Sequence, residues 1–242
     1  MKHQKLLSYV RKAVEDYGMI SAQDHIAVGV SGGKDSLCTL LALASLRRFY
    51  PAPFRLTAIT VSMGFEGMDF SPVAQLCEKI EVPYSIVETD IGPIIFDERK
   101  EKNPCSLCSK MRKGALHDRA QQLGCNKIAL GHNKDDILET FFLSLFYEGR
   151  IHTFAPKSFL DRKQLWSIRP LMYVPEGEIR SYVRQNNLPI VKNPCPADGT
   201  TKRQQIKELI ASLSKEYDNL EGKVFSAIRH SAIPGWAPPK GR

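Results

Sequence analysis

The stretch VGVSGGKDS at residues 28–36 places two adjacent glycines between an apolar segment, residues 25–30, and a helix pattern at residues 36–48. Gly32 and Gly33 allow backbone angles that are closed to other residues, and they let main-chain N–H groups approach an anion. The positive end of the following helix adds its dipole to this attraction. The stretch therefore predicts a strand, a phosphate-binding turn and a helix, which together open a βαβ unit.

The polar side chains of this turn suit a nucleotide phosphate. Ser31 and Ser36 offer hydroxyl donors, and Lys34 offers a point charge. Asp35 offers a carboxylate for Mg²⁺. The turn is not a Walker loop, which requires a glycine in place of Val28 and a serine or threonine in place of Asp35. A tight strand-to-helix turn with a serine cap is the structural alternative.

Strand and helix patterns alternate along the rest of the chain. Such alternation predicts an α/β fold, a doubly wound parallel sheet with helices on both faces, which binds ligands at the carboxyl ends of its strands. We expect an N-terminal helix at residues 1–20, a main domain at 21–218, and a C-terminal extension at 219–242 whose tail is loose from Ile233. The expected strands are 25–30, 55–61, 84–87, 127–130 and 164–168, and the expected helices are 6–17, 36–48, 73–80, 106–123, 137–146, 176–185 and 201–213.

Composition narrows the class of protein and of partner. The chain has 242 residues, of which 43% are hydrophobic, enough for one sizeable core. It contains no apolar run of about 18 residues and no signal-peptide pattern, so we expect a cytoplasmic protein with no membrane partner. Its formal net charge of +8 suits a nucleic acid partner, although a solvated basic surface explains the charge equally well.

A second polar group, GHNKDD at residues 131–136, follows the predicted strand 127–130. Asp135 and Asp136 stand at the start of a helix pattern, where carboxylates can coordinate Mg²⁺ or act as acid and base. A purely structural role explains these residues equally well, because Asn133 makes an ordinary N-cap and Asp136 stands where a capping box places its acid.

Three of the six cysteines form a candidate metal site. Cys105 and Cys108 are spaced i, i+3 at the start of a helix pattern, where the helix dipole favours thiolates. Cys195 offers a third ligand from a proline-bounded loop. Three thiolates suit zinc with a fourth ligand, or an iron–sulfur cubane with one iron left open. The other cysteines, Cys38, Cys77 and Cys125, fall within helix patterns or at a helix end and are expected to be buried apolar residues.

Residues 31–36 resemble the SGGxDS loop of the PP-loop, or N-type, ATP pyrophosphatases. GHNKDD, followed by Glu139 and Thr140, resembles the second signature of the members that thiolate tRNA. The resemblance to the tRNA 2-thiocytidine synthetase family covers residues 25–209 and includes CSLC at 105–108, RKG at 112–114, RPL at 169–171 and Cys195. One departure is CPADG at 195–199, where the commoner family form has PCxxCGSQ with a second cysteine.

The resemblance implies an adenine nucleotide alpha hydrolase-like fold and a [4Fe-4S] cluster on Cys105, Cys108 and Cys195. It implies that the C2 oxygen of a tRNA pyrimidine attacks ATP, with Mg²⁺, and is then replaced by sulfur, giving 2-thiocytidine in the anticodon loop. Arg112 is expected to neutralise phosphate charge, or alternatively to bind an RNA phosphate. The expected catalytic residues are Asp35, Arg112, Asp135 and Asp136, and the expected nucleotide-binding residues are Ser31, Gly32, Gly33, Lys34, Asp35, Ser36, Gly131 and His132.

The partners implied are tRNA and a sulfur donor, either a cysteine desulfurase or free sulfide, and a homodimer stays open. Basic residues near the cysteines are candidates for guiding the anticodon stem-loop. The rival interpretations are thiolation of a uridine, a lysidine-forming ligase, and a nonenzymatic RNA-binding protein stabilised by zinc. The basic residues in question are Lys110, Lys113, Lys202, Arg203 and Lys207.

Overall fold

A six-stranded sheet with the strand order β3-β2-β1-β4-β6-β5 forms the centre of the protein. The computed structural model describes residues 1–99, 104–191, 194–195 and 202–236. Five strands run parallel, and β5 pairs with β6 in the antiparallel sense. The strands are β1 (His25–Gly29), β2 (Arg55–Val61), β3 (Tyr84–Val87), β4 (Lys127–Ala129), β5 (Lys157–Leu160) and β6 (Leu165–Ile168).

The helices of the described residues begin and end close to the predicted bounds. Each parallel strand is followed by a helical connection, as a doubly wound sheet requires. They are α1 (His3–Asp16), α2 (Lys34–Leu46), α3 (Ser71–Lys79), α4 (Ile91–Pro93), which continues as a π-helical turn (Ile94–Glu98), α5 (Pro104–Gln122), α6 (Lys134–Glu148), α7 (Glu176–Gln185), α8 (Lys202–Glu216) and α9 (Leu220–Arg229).

The doubly wound fold predicted from the sequence is confirmed. The chain winds outward from β1 to β3, then crosses to β4 on the other side of β1. The strand order therefore reverses between β1 and β4, which is where such sheets bind their ligands. Both polar sequences follow these two strands directly, since the loop at 31–36 comes after β1 and GHNKDD comes after β4.

The predicted parallel sheet carries one additional strand, β5, which is antiparallel and forms its edge. β5 is a four-residue strand that forms a hairpin with β6, and its register places Phe159 opposite Trp166. A segment this short carries too little alternation to be recognised from its own residues. The sequence also left α9 and the helical segment at 91–98 unassigned.

The loose tail expected from Ile233 is wrong for its first four residues. Ile233 is 5% exposed and Trp236 is fully buried. The indole packs edge-on against Tyr17 and Phe225, with ring centres 6.1 Å and 5.9 Å away. This segment therefore belongs to the main apolar core. Residues 237–242 of the expected tail lie outside the described part of the chain.

The N-terminal helix packs against the nucleotide-binding fold rather than standing apart from it. The buried face of α1, which includes Leu6 and Val10, joins the same apolar cluster as Leu37 and Leu40 of α2. The domain limits at residues 20 and 218 stay a prediction. Among the described residues, no helix is long and apolar enough to cross a membrane.

Candidate active site

The two serines of the loop at residues 31–36 form hydrogen bonds that fix its backbone. The Ser31 backbone N–H donates to Ser36 Oγ at 3.1 Å, and the Ser36 hydroxyl donates to the Gly33 carbonyl at 2.8 Å. Gly33 is the N-cap of α2, and within the described part of the chain no side chain caps this helix end. The first-turn N–H groups of α2 are therefore left to bind a ligand, as an anion site requires.

Two glycines at the phosphate loop, Gly32 within it and Gly131 beside it, are each required by a close contact. Gly32 has φ +80°, and a Cβ there would lie 2.7 Å from Cβ of Val191, whose N–H donates to the Gly32 carbonyl at 3.1 Å. A Cβ on Gly131 would lie 3.0 Å from the backbone nitrogen of Ser36 and from the carbonyl carbon of Asp35. The end of β4 and the start of α2 thus touch through their backbones.

Asp35 and the start of α6 are joined by a hydrogen bond between side chains. The Asn133 amide Nδ2 donates to Asp35 Oδ1 at 3.0 Å, while Asn133 Oδ1 accepts from the Asp136 N–H at 3.1 Å. The Asn133 N–H donates in return to Asp136 Oδ2 at 2.9 Å, so the capping box expected as the alternative is formed. Capping α6 therefore also orients the Asp35 carboxylate.

Asp136 keeps a carboxylate oxygen toward the ligand space even though it caps the helix. Burial raises the pKa of Asp136, against the lowering effects of the Asn133 N–H and the Arg203 guanidinium. A carboxyl group that burial disfavours as an anion gains from a nearby cation such as Mg²⁺. Asp35 and Asp136 both line the main cavity, and the geometry supports them as the pair that faces a metal ion.

Asp135, the other expected catalytic acid, has a different position. Its Oδ2 accepts from the Glu176 backbone N–H at 2.7 Å, which caps the N-terminus of α7. It does not line the main cavity and instead faces a smaller neighbouring one of about 350 Å³. The structure thus gives Asp135 a contact that orients α7.

Lys34 lies in an ion-pair network at the smaller cavity. Its Nζ lies 2.8 Å from Asp35 Oδ2 and 3.0 Å from Glu176 Oε1, and Glu176 Oε2 also accepts from Lys207 at 2.6 Å. Burial lowers the pKa of Lys34, but the two carboxylates raise it more, and the net pKa lies above its usual value. Burial raises the pKa of Glu176, yet Lys207 and Lys34 outweigh it and bring that pKa to about 2.

The main cavity has a volume of about 540 Å³ and opens where β1 and β4 end. The loop at 31–36, the end of β4 and one face of α5 form its walls, so it brings together residues from distant parts of the sequence. Its lining residues are Gly29, Val30, Ser31, Asp35, Ser36, Ile59, Val61, Ser109, Arg112, Lys113, Leu116, Leu130, Gly131, His132, Asp136, Phe154 and Arg203.

His132 presents a neutral ring to this cavity. Burial, followed by the charges of nearby cations, lowers its pKa to about 3. Its ring lies 4.4 Å from that of Phe154 at an interplanar angle of 30°, and its buried Nδ1 has no hydrogen-bond partner among the described residues. His132 is therefore available as a hydrogen-bonding group and a flat surface at neutral pH, and it carries no charge there.

Sequence reasoning missed several side chains that line the two cavities. Arg203 was considered only as a guide for RNA, but its Nη1 pairs with Glu139 at 2.9 Å and lies 3.6 Å from Asp136. Burial raises the pKa of Glu139, and Arg203 opposes this. Phe154 and Glu176 were not recognised at all. No local pattern marks these residues, because each reaches the site from an element far away in sequence.

The three cysteines of the predicted metal site approach one another. Cys105 is exposed, and Cys108 and Cys195 are half-buried. Burial raises the pKa of the Cys108 thiol, Arg112 lowers it, and the neighbouring Cys195 and Cys105 raise it further. Cys195 therefore lies near Cys108, at the start of α5. Cys38, Cys77 and Cys125 are buried, as expected.

Within the described residues, no three His, Cys, Asp or Glu side chains lie close enough together to hold one metal ion. A single zinc ion needs such a group, because all its ligands share one centre. A four-iron cubane attaches each thiolate to a different iron and so spaces its ligands more widely. A zinc site and a cubane therefore place different demands on the spacing of Cys105, Cys108 and Cys195.

Comparison with known proteins agrees with this geometry. The PP-loop domain family matches residues 3–213. A tRNA-cytidine(32) 2-sulfurtransferase from Geobacter sulfurreducens is 37% identical over 231 residues, which cover 94% of this chain and 90% of that protein. The corresponding enzyme of Pelobacter propionicus is 37% identical over 228 residues, covering 93% of this chain and 85% of that one.

A solved structure is similar over most of its length. It is a U34-tRNA thiolase from Methanococcus maripaludis with its [4Fe-4S] cluster, and it superposes with a TM-score of 0.74 at 26% identity, over 91% of this chain and 76% of that one. The phosphate loop, the acids after β4, the grouped cysteines and these relatives agree: the chain belongs to the PP-loop family of tRNA-cytidine(32) 2-sulfurtransferases.

Proposed function

We propose that this protein uses ATP to replace the C2 oxygen of a tRNA cytidine, at position 32 of the anticodon loop, with sulfur. One observation carries the proposal. Helix α5 bears Cys105 and Cys108 on its first turn and lines the nucleotide cavity with Arg112 one turn later. A single rigid element therefore links the thiols to the place where ATP would be bound.

The residues of the first half-reaction follow from the cavity walls. The open N-terminus of α2 would bind the β- and γ-phosphates of ATP, and Asp35 and Asp136 would hold Mg²⁺, which would neutralise phosphate charge. Lys34 gives up its ion pair with Glu176 and binds oxygens of the β- and γ-phosphates instead. The apolar residues at the ends of β1 and β2, among them Val30 and Ile59, face the adenosine.

The chemistry then has two steps. The cytidine C2 oxygen attacks the α-phosphate, the bond to the β-phosphate breaks, and pyrophosphate leaves with that bonding pair. Sulfide next adds to C2, and AMP departs with the original oxygen. Arg112 neutralises charge on the α-phosphate in both steps. Cys105, Cys108 and Cys195 would hold a [4Fe-4S] cluster, which would supply an iron without a protein thiolate as a binding place for sulfide.

The setting of the reaction is also proposed. Sulfur comes from a cysteine desulfurase or from free sulfide, and the protein works in the cytoplasm, where tRNA is modified. The basic charge of the chain, +8, supports tRNA as the partner that approaches the cavity. A homodimer and a division at residues 20 and 218 are part of the same proposal.

The test is an anaerobic assay of the protein reconstituted with iron and sulfide, using ATP, a sulfide source and unmodified tRNA. Wild type is expected to form AMP, pyrophosphate and 2-thiocytidine in equal amounts, measured by chromatography and nucleoside mass spectrometry. Cys105→Ala, Cys108→Ala and Cys195→Ala should each abolish 2-thiocytidine. Cys125→Ala removes a buried thiol outside the group and should retain the activity.

Two results would contradict the proposal. Pyrophosphate release that is unchanged in the triple cysteine variant, together with no 2-thiocytidine from the wild type, would favour a ligase that needs no sulfur, such as the lysidine-forming type. No release of AMP and pyrophosphate in the presence of tRNA would remove the enzymatic interpretation altogether.

A further inference from the structure

Two cations beside the main cavity have no acidic partner within the described part of the chain. Lys113 lines the cavity from α5 and makes no hydrogen bond or ion pair there. Arg169, just after β6, donates from Nη1 to the Ala155 carbonyl at 2.5 Å, and its buried Nε has no partner. Its guanidinium carbon lies 5.2 Å from the ring centre of Phe154, which lines the same cavity.

This arrangement is unfavourable in the protein alone. Burial lowers the pKa of Arg169 to about 10. Burial also lowers the pKa of Lys113, and the charges of Arg169 and Arg112 lower it further, so the three cations repel one another. The Arg169 guanidinium is partly buried and its Nε has no partner among the described residues. A cation removed from water without an opposite charge costs free energy, and an anion that enters beside Arg169 and Lys113 removes this cost.

The neighbouring side chains indicate what kind of anion fits. His132 carries no charge that could pair with an anion at neutral pH, and its ring and that of Phe154 form a flat apolar surface. Asp136 and Glu139 stand on the Arg203 side of the cavity, and Arg203 pairs with Glu139. A guanidinium and an ammonium beside an aromatic surface suit a phosphoryl group attached to a nucleoside.

We propose that Lys113 and Arg169 together bind one phosphoryl group of a substrate, beside the rings of Phe154 and His132. This rests on the proposed function, because both of its substrates carry such groups. The group is either the α-phosphate of ATP or a phosphodiester of the tRNA next to the target nucleotide. The two residues are positioning residues that hold the nucleotide at the cavity wall.

The test measures binding without any sulfur transfer. Lys113→Gln, Arg169→Gln and Arg169→Lys are compared with wild type for the Kd of Mg·ATP by calorimetry and, separately, for the Kd of unmodified tRNA by filter binding at several salt concentrations. Lys79→Gln is the matched control, since Lys79 is an exposed lysine on α3 and its loss changes the net charge equally. Far-ultraviolet circular dichroism verifies folding.

Charge-removing variants should weaken one of the two ligands by about tenfold. Weaker ATP binding alone assigns the site to the α-phosphate. Weaker tRNA binding, with a salt slope reduced by about one, assigns it to the RNA backbone. Arg169→Lys should lose less than Arg169→Gln, and Lys79→Gln should match wild type.

Unchanged binding of both ligands by folded Lys113→Gln would overturn the proposal. Lys113 is an exposed residue on the cavity wall, so its substitution is expected to leave the fold intact and tests the proposal even if Arg169→Gln does not fold. Because the test measures binding and not thiolation, its result can be interpreted even if the proposed reaction is not found.

Discussion

Gly131 is the residue at which the two polar sequences touch. Its missing side chain lets the end of β4 approach the backbone of Asp35 and Ser36, where a Cβ would come within 3.0 Å. Backbone atoms cannot rotate away as side chains can. Gly131→Ala should therefore displace the phosphate loop and lower kcat/KM for ATP by on the order of ten- to a hundredfold, measured by pyrophosphate release.

Gly177→Ala is the matched control for this substitution. Gly177 lies on the exposed side of the first turn of α7, and a Cβ there meets nothing within 4 Å. It should leave ATP turnover unchanged. Equal kinetics for the two alanine variants would contradict the close contact between β4 and α2.

Glu176 predicts a pH dependence of stability. Its pKa in the folded protein, about 2, lies below its usual 4.5, mainly because Lys207 and Lys34 outweigh the effect of burial. A depressed pKa stabilises the fold above about pH 4.5, and this contribution is lost as the pH falls from 4.5 toward 2. Its size at neutral pH is about 3 kcal/mol.

Urea unfolding at pH 7 and pH 3 measures this effect. Glu176→Gln should be less stable than wild type at pH 7, and the difference should shrink at pH 3. Glu208→Gln, an exposed glutamate on α8, should show little difference at either pH. A Glu176→Gln deficit of the same size at both pH values would mean that its carboxylate charge does not stabilise the fold.

At the scale of an element, the N-terminus of α6 has two tasks that can be separated. Asn133 caps the helix through Oδ1 and holds Asp35 through Nδ2. Asn133→Ser keeps a good cap but is too short to reach Asp35, whereas Asn133→Ala loses both contacts. The alanine variant should lose about 1 kcal/mol of stability, and the serine variant much less.

The two variants should differ in stability but not in their affinity for the nucleotide. Both should raise the KM for Mg·ATP by a similar factor, because both release the Asp35 carboxylate. Thermal denaturation and steady-state kinetics measured on the same preparations test this. Wild-type kinetics in Asn133→Ser would show that the bond to Asp35 has no role in binding the nucleotide.

At the scale of the whole molecule, the C-terminal segment and α1 contribute side chains to the same apolar core. Trp236 lies between Tyr17 of the N-terminal segment and Phe225 of α9, distant in sequence from both the loop and the cysteines. Trp236→Ala should cost about 3–5 kcal/mol of unfolding free energy, through lost burial and a large cavity. Catalytic activity per folded molecule should stay at the wild-type level.

Chemical denaturation by urea, with activity measured at low temperature, provides the test. Phe49→Ala is the control, because Phe49 is 54% exposed and its removal leaves no cavity. A Trp236→Ala variant as stable as wild type would show that the terminal segment is not part of the cooperative core.

The sequence by itself determined the class of fold and the chemistry of the phosphate loop. Both depend on neighbouring residues: a strand, glycines and a helix start within residues 25–36, and a capped helix start follows β4. Backbone angles and hydrogen bonds between residues a few positions apart are local, so they can be predicted from the order of residues alone. The spacing of Cys105 and Cys108 predicts their common place on one helical turn for the same reason.

Only the tertiary structure decided which side chains share the cavity. It brought Arg203 near Asp136, placed Asp135 at the N-terminus of α7, and packed the ring of Phe154 against that of His132. It also buried Trp236 and paired β5 in the antiparallel sense. These contacts join elements separated by long stretches of chain, and their positions follow from how the apolar faces of the whole molecule pack, which no single segment specifies.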